Sequence, residues 1–256
     1  MAEPIPEQPT GTLRVWDLPT RLFHWALVVL VLMSFVTAEG AWPDVPLPAG
    51  MPGGAHLLPH MTLHIWCGYC ILVLLLFRIG WGVVGSSTSR FADFVRGPAA
   101  ILDYVRGFMR RPFLRGPGAF YTGHNPLGAV MVIVLLAALL AQAVTGLFAK
   151  DEDDFFGIAV GPLHGSVSDA MGKTLTHIHH LGHEAIEDLV YLHILANLFY
   201  WLVRRENLIG AMITGRRRLQ PGQSAPPISF ASGKSAVGLF ALAVIVVWTA
   251  LALLRR

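Results

Sequence analysis

The chain has 256 residues, of which 54% are hydrophobic and only 14% are charged, and its formal net charge is +3. A soluble globular domain carries about 25% charged residues, so this composition argues against a soluble protein and indicates a surface that largely faces lipid. The net positive charge does not call for a nucleic-acid partner, because the basic residues flank apolar segments, where anionic membrane lipid is the ordinary partner.

Five apolar stretches are long enough to cross a hydrocarbon core of about 30 Å, which takes roughly 20 helical residues. Backbone polar groups in lipid must be satisfied within their own element, so these stretches are predicted to be helices. They lie near residues 22–38, 61–84, 126–148, 181–203 and 235–254. The first is predicted to be retained and not cleaved as a signal peptide, because acidic residues precede it where a signal peptide is basic.

The distribution of basic residues predicts the topology. Arginines cluster in residues 85–121 and again after the fourth predicted helix, whereas residues 39–60 carry no Lys or Arg and residues 149–180 carry two lysines. The positive-inside rule therefore places the N-terminus in the cytoplasm. We expect a cytoplasmic tail at residues 1–20 and a linker followed by the last transmembrane helix at 219–256, although this helix leaves Arg255 and Arg256 outside.

Histidines inside the predicted spans are the main functional signal, because ionisable residues in a membrane helix are costly and by default functional. His24 lies at the cytoplasmic start of the first span and His64 near the external start of the second. On the fourth, His179 and His193 lie within roughly 40° of one another around the helix, on the same face, and about 21 Å apart along its axis. His183 and His180 remain alternatives to His179.

These depths predict two histidine pairs, an inner pair of His24 with His193 and an outer pair of His64 with His179. Imidazole is a good iron ligand, and two of them fill both axial positions of a haem, so that such a centre carries electrons and has no open site at the metal. The predicted fold is therefore all-α: an integral membrane four-helix haem-binding bundle at residues 21–218 with a fifth, C-terminal transmembrane helix. A di-metal carboxylate site and a histidine proton relay in a transporter are the alternatives.

Three further residues can contact a haem. Gly68 lies one helical turn after His64 and allows a ring to approach the backbone, although glycine also occurs wherever membrane helices pack closely. Arg21 and Arg78 lie near the cytoplasmic surface, where a guanidinium can pair with haem propionates. Both arginines can equally serve as interfacial anchors.

Several motifs resemble those of the bacterial cytochrome b561 family and of the di-haem cytochrome b subunits of Ni/Fe hydrogenases. They span about residues 14–218 and are Val15-Trp-Asp-Leu-Pro-Thr-Arg-Leu-Phe-His-Trp25, His64-Ile-Trp-Cys-Gly-Tyr69, Phe77-Arg-Ile-Gly-Trp-Gly82, Arg90-Phe-Ala-Asp-Phe94, Gly123-His-Asn-Pro-Leu-Gly128 and Glu206-Asn-Leu-Ile-Gly-Ala-Met-Ile-Thr-Gly215. The resemblance implies four helices that bind two haem b groups through residues corresponding to His24, His64, His179 and His193, and it favours His179 over His183.

The resemblance also implies quinone-linked electron transfer in a bacterial inner membrane. The expected partners are quinone and a periplasmic redox protein, such as a c-type cytochrome or a hydrogenase, and the chain is expected to be an electron-transfer subunit more than a stand-alone enzyme. No catalytic residue is assigned, and oligomer formation is left open by the sequence. The alternative is a superoxide:quinone oxidoreductase of the same fold, favoured by Lys173 near the outer pair but opposed by the external acidic cluster at residues 151–154.

Overall fold

The structure is a computed structural model that describes residues 11–41, 45–46, 57–58, 60–110, 121–151, 159–219 and 227–254. Within these residues the chain is an all-α membrane bundle with almost no sheet, as predicted. The helices are α1 (Leu18–Ala38), α2 (His60–Val84), α3 (Phe91–Phe94), α4 (Pro98–Arg110), α5 (Pro126–Gly146), α6 (Asp169–Leu202), α7 (Leu208–Thr214) and α8 (Gly233–Leu254). Residues 1–10 of the predicted tail, 220–226 of the predicted linker, and Arg255 and Arg256 lie outside the described residues.

Four of the described helices, α1, α2, α5 and α8, are long and apolar enough to cross a membrane. They correspond to four of the five predicted spans. The remaining predicted span, 181–203, is the C-terminal part of α6, which has 34 residues and is therefore about 51 Å long. Because Glu184, Glu187, Asp188 and several histidines lie along α6, its composition alone does not mark it as a membrane helix.

The chain divides into two compact units. Unit 1 comprises Met1–Leu22, Gly80–Val134 and Leu189–Ala236, and unit 2 comprises Phe23–Ile79, Leu135–Asp188 and Val237–Arg256. The boundaries fall inside helices, so that α1, α2, α5, α6 and α8 contribute residues to both units. Short two-stranded ribbons join β1 (Thr12–Arg14) to β6 (Arg216–Arg218), β2 (Val45–Pro46) to β3 (Leu57–Leu58), and β4 (Lys150–Asp151) to β5 (Ala159–Val160).

In unit 1, the β1–β6 ribbon fastens the start of the described chain to the end of α7. Gly215 ends α7 with a φ of +78°, and its carbonyl accepts the N–H groups of Val15 at 2.8 Å and Trp16 at 3.1 Å. A Cβ at position 215 would lie 2.9 Å from the carbonyl oxygen of Trp16. Both the left-handed backbone and the lack of space therefore require glycine here.

A buried carboxylate fixes the first turn of α1 in the same unit. Asp17, only 2% exposed, accepts the N–H of Thr20 at 2.7 Å and the indole N–H of Trp81 at 3.1 Å. The hydroxyl groups of Thr20 and Ser89 lie 2.6 Å apart. An aspartate that caps a helix N-terminus satisfies free backbone donors and interacts favourably with the helix dipole. Asp17 thereby positions the chain entering α1.

The helices α3 and α4 lie in the arginine-rich segment at residues 85–121, and aromatic side chains attach α4 to the end of α6. The hydroxyl groups of Tyr104 and Tyr200 lie 2.5 Å apart, and the rings of Phe108 and Phe199 have centres 5.7 Å apart. Asn125 donates to the Tyr200 hydroxyl at 3.0 Å. Desolvation by burial raises the pKa of Tyr104 above its usual value near 10, because the charged phenolate is disfavoured there.

In unit 2, α8 packs against α2 through aromatic rings. The ring of Trp248 lies 5.7 Å from that of Trp66 and 5.8 Å from that of Tyr69, and Phe240 lies 6.1 Å from Phe77. Offset and edge-to-face pairs at these separations stabilise packing beyond the area they bury. The fifth predicted helix is therefore held against α2 by these aromatic contacts.

Candidate metal centre

Two of the predicted ligand histidines face each other within unit 2. His64 lies on α2 and His179 on α6, and the centres of their rings are 6.3 Å apart with the ring planes at 86°. Both side chains are half-buried. The structure thus brings together two imidazoles that are 115 positions apart in the sequence.

The separation of the two rings can be compared with that required by one metal ion between them. An imidazole nitrogen binds a metal at about 2.0–2.1 Å, and the ring centre lies roughly 1.1 Å beyond that nitrogen, so two rings on opposite sides of one ion have centres about 6.3 Å apart. The observed value is 6.3 Å. The separation of the ring centres therefore matches that expected for two imidazoles that share one metal ion.

Hydrogen bonds at the opposite nitrogens select the form in which each ring can act as a ligand. Nδ1 of His64 lies 3.0 Å from the backbone oxygen of Ser34, and Nδ1 of His179 lies 3.0 Å from that of Gln142. Because a carbonyl oxygen only accepts, each Nδ1 carries the hydrogen, and the neutral ring then has its lone pair on Nε2. A hydrogen bond from the ring nitrogen that does not bind the metal is typical of metal-binding histidines.

Two threonines in apolar runs complete these surroundings. The hydroxyl oxygen of Thr37 lies 3.2 Å from Nδ1 of His64, and that of Thr145 lies 3.3 Å from Nδ1 of His179. The side-chain amide nitrogen of Gln142 is 3.5 Å from Nε2 of His179. These residues were not predicted from the sequence, although a threonine or glutamine within an apolar run is a signal that could have indicated them.

A cavity of about 410 Å³ borders both histidines, within the range of about 300–1,000 Å³ that is usual for small-molecule sites. Its lining includes Gly68 and Gly146 together with apolar side chains such as Leu139 and Ile186. A Cβ at Gly68 would meet nothing within 4 Å, whereas one at Gly146 would lie 2.8 Å from Cε1 of His179. Glycine thus keeps one wall open and lets the His179 ring lie against the α5 backbone, so the residues present fit a flat group held between two imidazoles.

The other histidines of α6 have different surroundings. The His183 ring lies 5.0 Å from that of Phe35, and its Nε2 is 3.6 Å from a carboxylate oxygen of Glu39. His180 is exposed, with its ring centre 6.5 Å from that of His179. Of the three candidates left open by the sequence, His179 is therefore the one whose ring stands opposite His64.

The predicted inner residues belong to different units. His24 lies on α1 in unit 2, with its ring edge-on to Trp25 at 5.0 Å. His193 lies on α6 in unit 1, where the amide nitrogen of Asn197 is 3.3 Å from its Nε2. The pairing of His24 with His193 stays a prediction.

Arg21, predicted to contact a haem, binds α7 in unit 1. Its guanidinium donates to the backbone oxygens of Met212, at 3.3 Å, and Ile213. A cation is favoured at a helix C-terminus, where carbonyl groups have no partner within the helix. These bonds explain the position of Arg21 without a cofactor, and its role toward propionates stays a prediction. Arg78, the other arginine predicted to pair with haem propionates, is 3% exposed, and its role also stays a prediction.

A family model described as prokaryotic cytochrome b561 matches residues 15–215 of the chain. The chain belongs to this family. Membership makes it a multi-pass membrane cytochrome that binds haem b and takes part in electron transport. The resemblance of the sequence motifs to the cytochrome b561 family is confirmed.

Relatives of this cytochrome are 25–30% identical to it over the regions that match. A protein of Azotobacter vinelandii named "Probable Ni/Fe-hydrogenase B-type cytochrome subunit" is 30% identical over 221 residues, covering 79% of this chain and 87% of the relative. Proteins with the same name are 25% identical in Bradyrhizobium diazoefficiens, covering 82% of this chain and 87% of the relative, and 26% identical in Rhodobacter capsulatus, covering 79% and 80%. No solved structure gives a significant match to this cytochrome.

Proposed function

We propose that this cytochrome holds two haem b groups and carries electrons across a bacterial inner membrane, between the quinone pool and a redox protein on the outer side. His64 and His179 hold the outer haem, and His24 and His193 hold the inner one. The N-terminus is cytoplasmic. The observation that carries the proposal is the arrangement of His64 and His179, whose rings stand 6.3 Å apart with both Nδ1 atoms bonded to backbone oxygens.

Each residue of the outer site has a distinct role in this proposal. The Nε2 lone pairs of His64 and His179 would bind the haem iron, which would leave no position at the metal for oxygen or a substrate. The Ser34 and Gln142 carbonyls hold the rings in one tautomer, and apolar residues of the cavity wall, such as Leu139, exclude water. Haem b supplies reversible one-electron chemistry when bound.

The names of the relatives support a hydrogenase as the outer partner. Proteins named as B-type cytochrome subunits of Ni/Fe hydrogenase match this chain over about four-fifths of its length. We therefore place hydrogenase subunits ahead of a c-type cytochrome as the electron donor or acceptor, with quinone on the other side of the electron path. Purified hydrogenase with hydrogen should then reduce the haems of membranes containing the wild-type chain, and a quinone analogue should reoxidise them.

The charge around the outer cavity argues against a superoxide:quinone oxidoreductase. Glu39 and Glu184 line this cavity, and among the described residues no lysine or arginine does so. Negative charge at the mouth of a site repels an anionic substrate and lowers its rate of encounter. Rapid haem reduction by superoxide in the purified cytochrome, with no partner present, would nevertheless establish that activity.

The haem content of histidine variants tests the proposal. We expect the wild-type chain to bind two haems with a b-type reduced-minus-oxidised spectrum. His64→Ala and His179→Ala should each remove the same haem, and His24→Ala and His193→Ala should each remove the other. His183→Ala is the matched control on α6 and should keep both haems. A wild-type chain without haem, or His64→Ala and His179→Ala variants that keep both haems, would refute the proposal.

A further inference from the structure

In both histidines of the outer site, Nδ1 has the same two kinds of neighbour: a backbone oxygen and a threonine hydroxyl. A different helix supplies them for each histidine. On α1, the backbone oxygen of Ser34 and the hydroxyl of Thr37, three residues later, surround Nδ1 of His64. On α5, the backbone oxygen of Gln142 and the hydroxyl of Thr145, again three residues later, surround Nδ1 of His179. One helical turn thus presents a carbonyl and a hydroxyl to the same nitrogen in both places.

The hydrogen of each hydroxyl is already engaged within its own helix. Thr37 donates to the backbone oxygen of Met33 at 2.7 Å, with that of Ser34 at 3.1 Å. Thr145 donates in the same way to residues 141 and 142, at 2.9 Å and 3.0 Å. A hydroxyl has one hydrogen and two lone pairs, so the oxygen facing the imidazole is an acceptor. Each Nδ1–H therefore meets two acceptors.

Water has little access to these hydroxyl groups. Thr37 is 0% exposed and Thr145 is 8% exposed. A hydrogen bond in such surroundings is electrostatically stronger than in water, and the loss of either hydroxyl has no ready replacement. The hydroxyl groups are therefore fixed parts of the surroundings of the two rings.

We infer that Thr37 and Thr145 are positioning residues that orient the two outer imidazoles and lower the reduction potential of the haem held between them; this inference rests on the proposed ligand role of His64 and His179. An acceptor at Nδ1–H draws the proton outward and makes Nε2 more basic. A more basic axial ligand stabilises oxidised iron over reduced iron, and second-shell hydrogen bonds of this kind set haem potentials. Two acceptors on each ring add to this effect.

Potentiometric titration of the purified holoprotein tests the inference through Thr37→Val and Thr145→Val, which remove the hydroxyl and keep the shape of the side chain. We expect each substitution to favour the reduced form of one haem by about threefold, which raises its midpoint potential by roughly 28 mV at 59 mV per tenfold change for one electron. The double variant should shift by about ninefold, or roughly 56 mV. The other haem should keep its potential.

Thr174→Val is the matched control, because Thr174 is an exposed threonine of α6 whose hydroxyl donates to the backbone oxygen of Ala170 at 3.0 Å. It should leave both potentials unchanged, and Thr37→Ser, which keeps the hydroxyl, should retain the wild-type potential. Loss of one haem from the valine variants but not from Thr37→Ser, with unchanged circular dichroism, would also support the inference.

Valine variants with both haems bound and both potentials unchanged would overturn the inference, as would an equal shift in Thr174→Val. These outcomes are distinct from a failure of the proposed function. In that case His64→Ala and His179→Ala would keep two haems, whatever the threonine variants do.

Discussion

Gly146→Ala should weaken haem binding at the outer site, because the added methyl group has no room. Its Cβ would lie 2.8 Å from Cε1 of His179 and 3.2 Å from Nδ1, against ordinary contact distances of 3.4–4 Å. The ring must therefore retreat by at least 0.6 Å, the difference between 3.4 and 2.8 Å. Forcing an extra methyl group into a packed site costs about 1–3 kcal/mol, which corresponds to a roughly 5- to 140-fold loss of affinity at 1.4 kcal/mol per tenfold.

The assay is the number of haems per chain and the affinity for added haem, both measured by the b-type absorption spectrum. Gly238→Ala is the matched control, because it adds the same methyl group to a membrane helix at a position with nothing within 4 Å. On the proposed function, we expect Gly238→Ala to keep the wild-type haem content and Gly146→Ala to lose the haem between His64 and His179 in part or completely. Wild-type affinity and spectrum in Gly146→Ala would show that the ring does not need its place against α5.

Three further predictions concern unit 1. Gly215→Ala should lower the free energy of unfolding by about 1–3 kcal/mol, seen as a lower thermal midpoint, because of the φ of +78° and the close Trp16 oxygen. Trp81→Phe should cost about 1–3 kcal/mol in chemical denaturation by removing a donor from buried Asp17, and a combined Asp17→Asn substitution should recover part of this loss. Burial raises the pKa of Tyr104, because the folded state favours the neutral phenol. This contribution to the free energy of unfolding is complete below the unfolded pKa of about 10 and decreases as the pH rises further. Tyr104→Phe should therefore reduce the loss of stability between pH 10 and 12.

The sequence predicted the membrane helices well where the apolar run itself is the signal. Four of the described helices begin and end within a few residues of the predicted limits. For α6 the prediction began at residue 181, whereas the helix begins at Asp169. Hydropathy marks only the apolar part of a helix, so the polar turns that contain His177 and Lys173 gave no signal. The β1–β6 ribbon was missed because its strands are about 200 residues apart and no local pattern links them.

At the site, the depth of the histidines predicted that His64 would lie near a histidine of the fourth helix, and the helix face together with the family resemblance favoured His179, which the structure places opposite His64. The surroundings of their Nδ1 atoms could not be predicted, because Ser34 and Gln142 contribute backbone oxygens that any residue would supply. Which oxygen meets which ring depends on the rotation of α1 and α5 about their own axes, and their nearly uniform apolar sequences do not fix that rotation. Arg21 was predicted from its charge to contact a haem. Its bond to the end of α7 could not be predicted, because it joins residues 191 positions apart in the sequence.

The bond between Val15 and Gly215 sets an order of events during biosynthesis. At about 5–20 residues per second, a ribosome takes roughly 10–40 s to make the 200 residues that separate them, and by then α1, α2, α5 and α6 have all been translated. The N-terminal strand can close onto α7 only after those helices exist, so the β1–β6 ribbon forms late in assembly. In a chain that ends before Gly215, the N–H groups of Val15 and Trp16 lack their backbone acceptor, so a truncated chain cannot form these two hydrogen bonds.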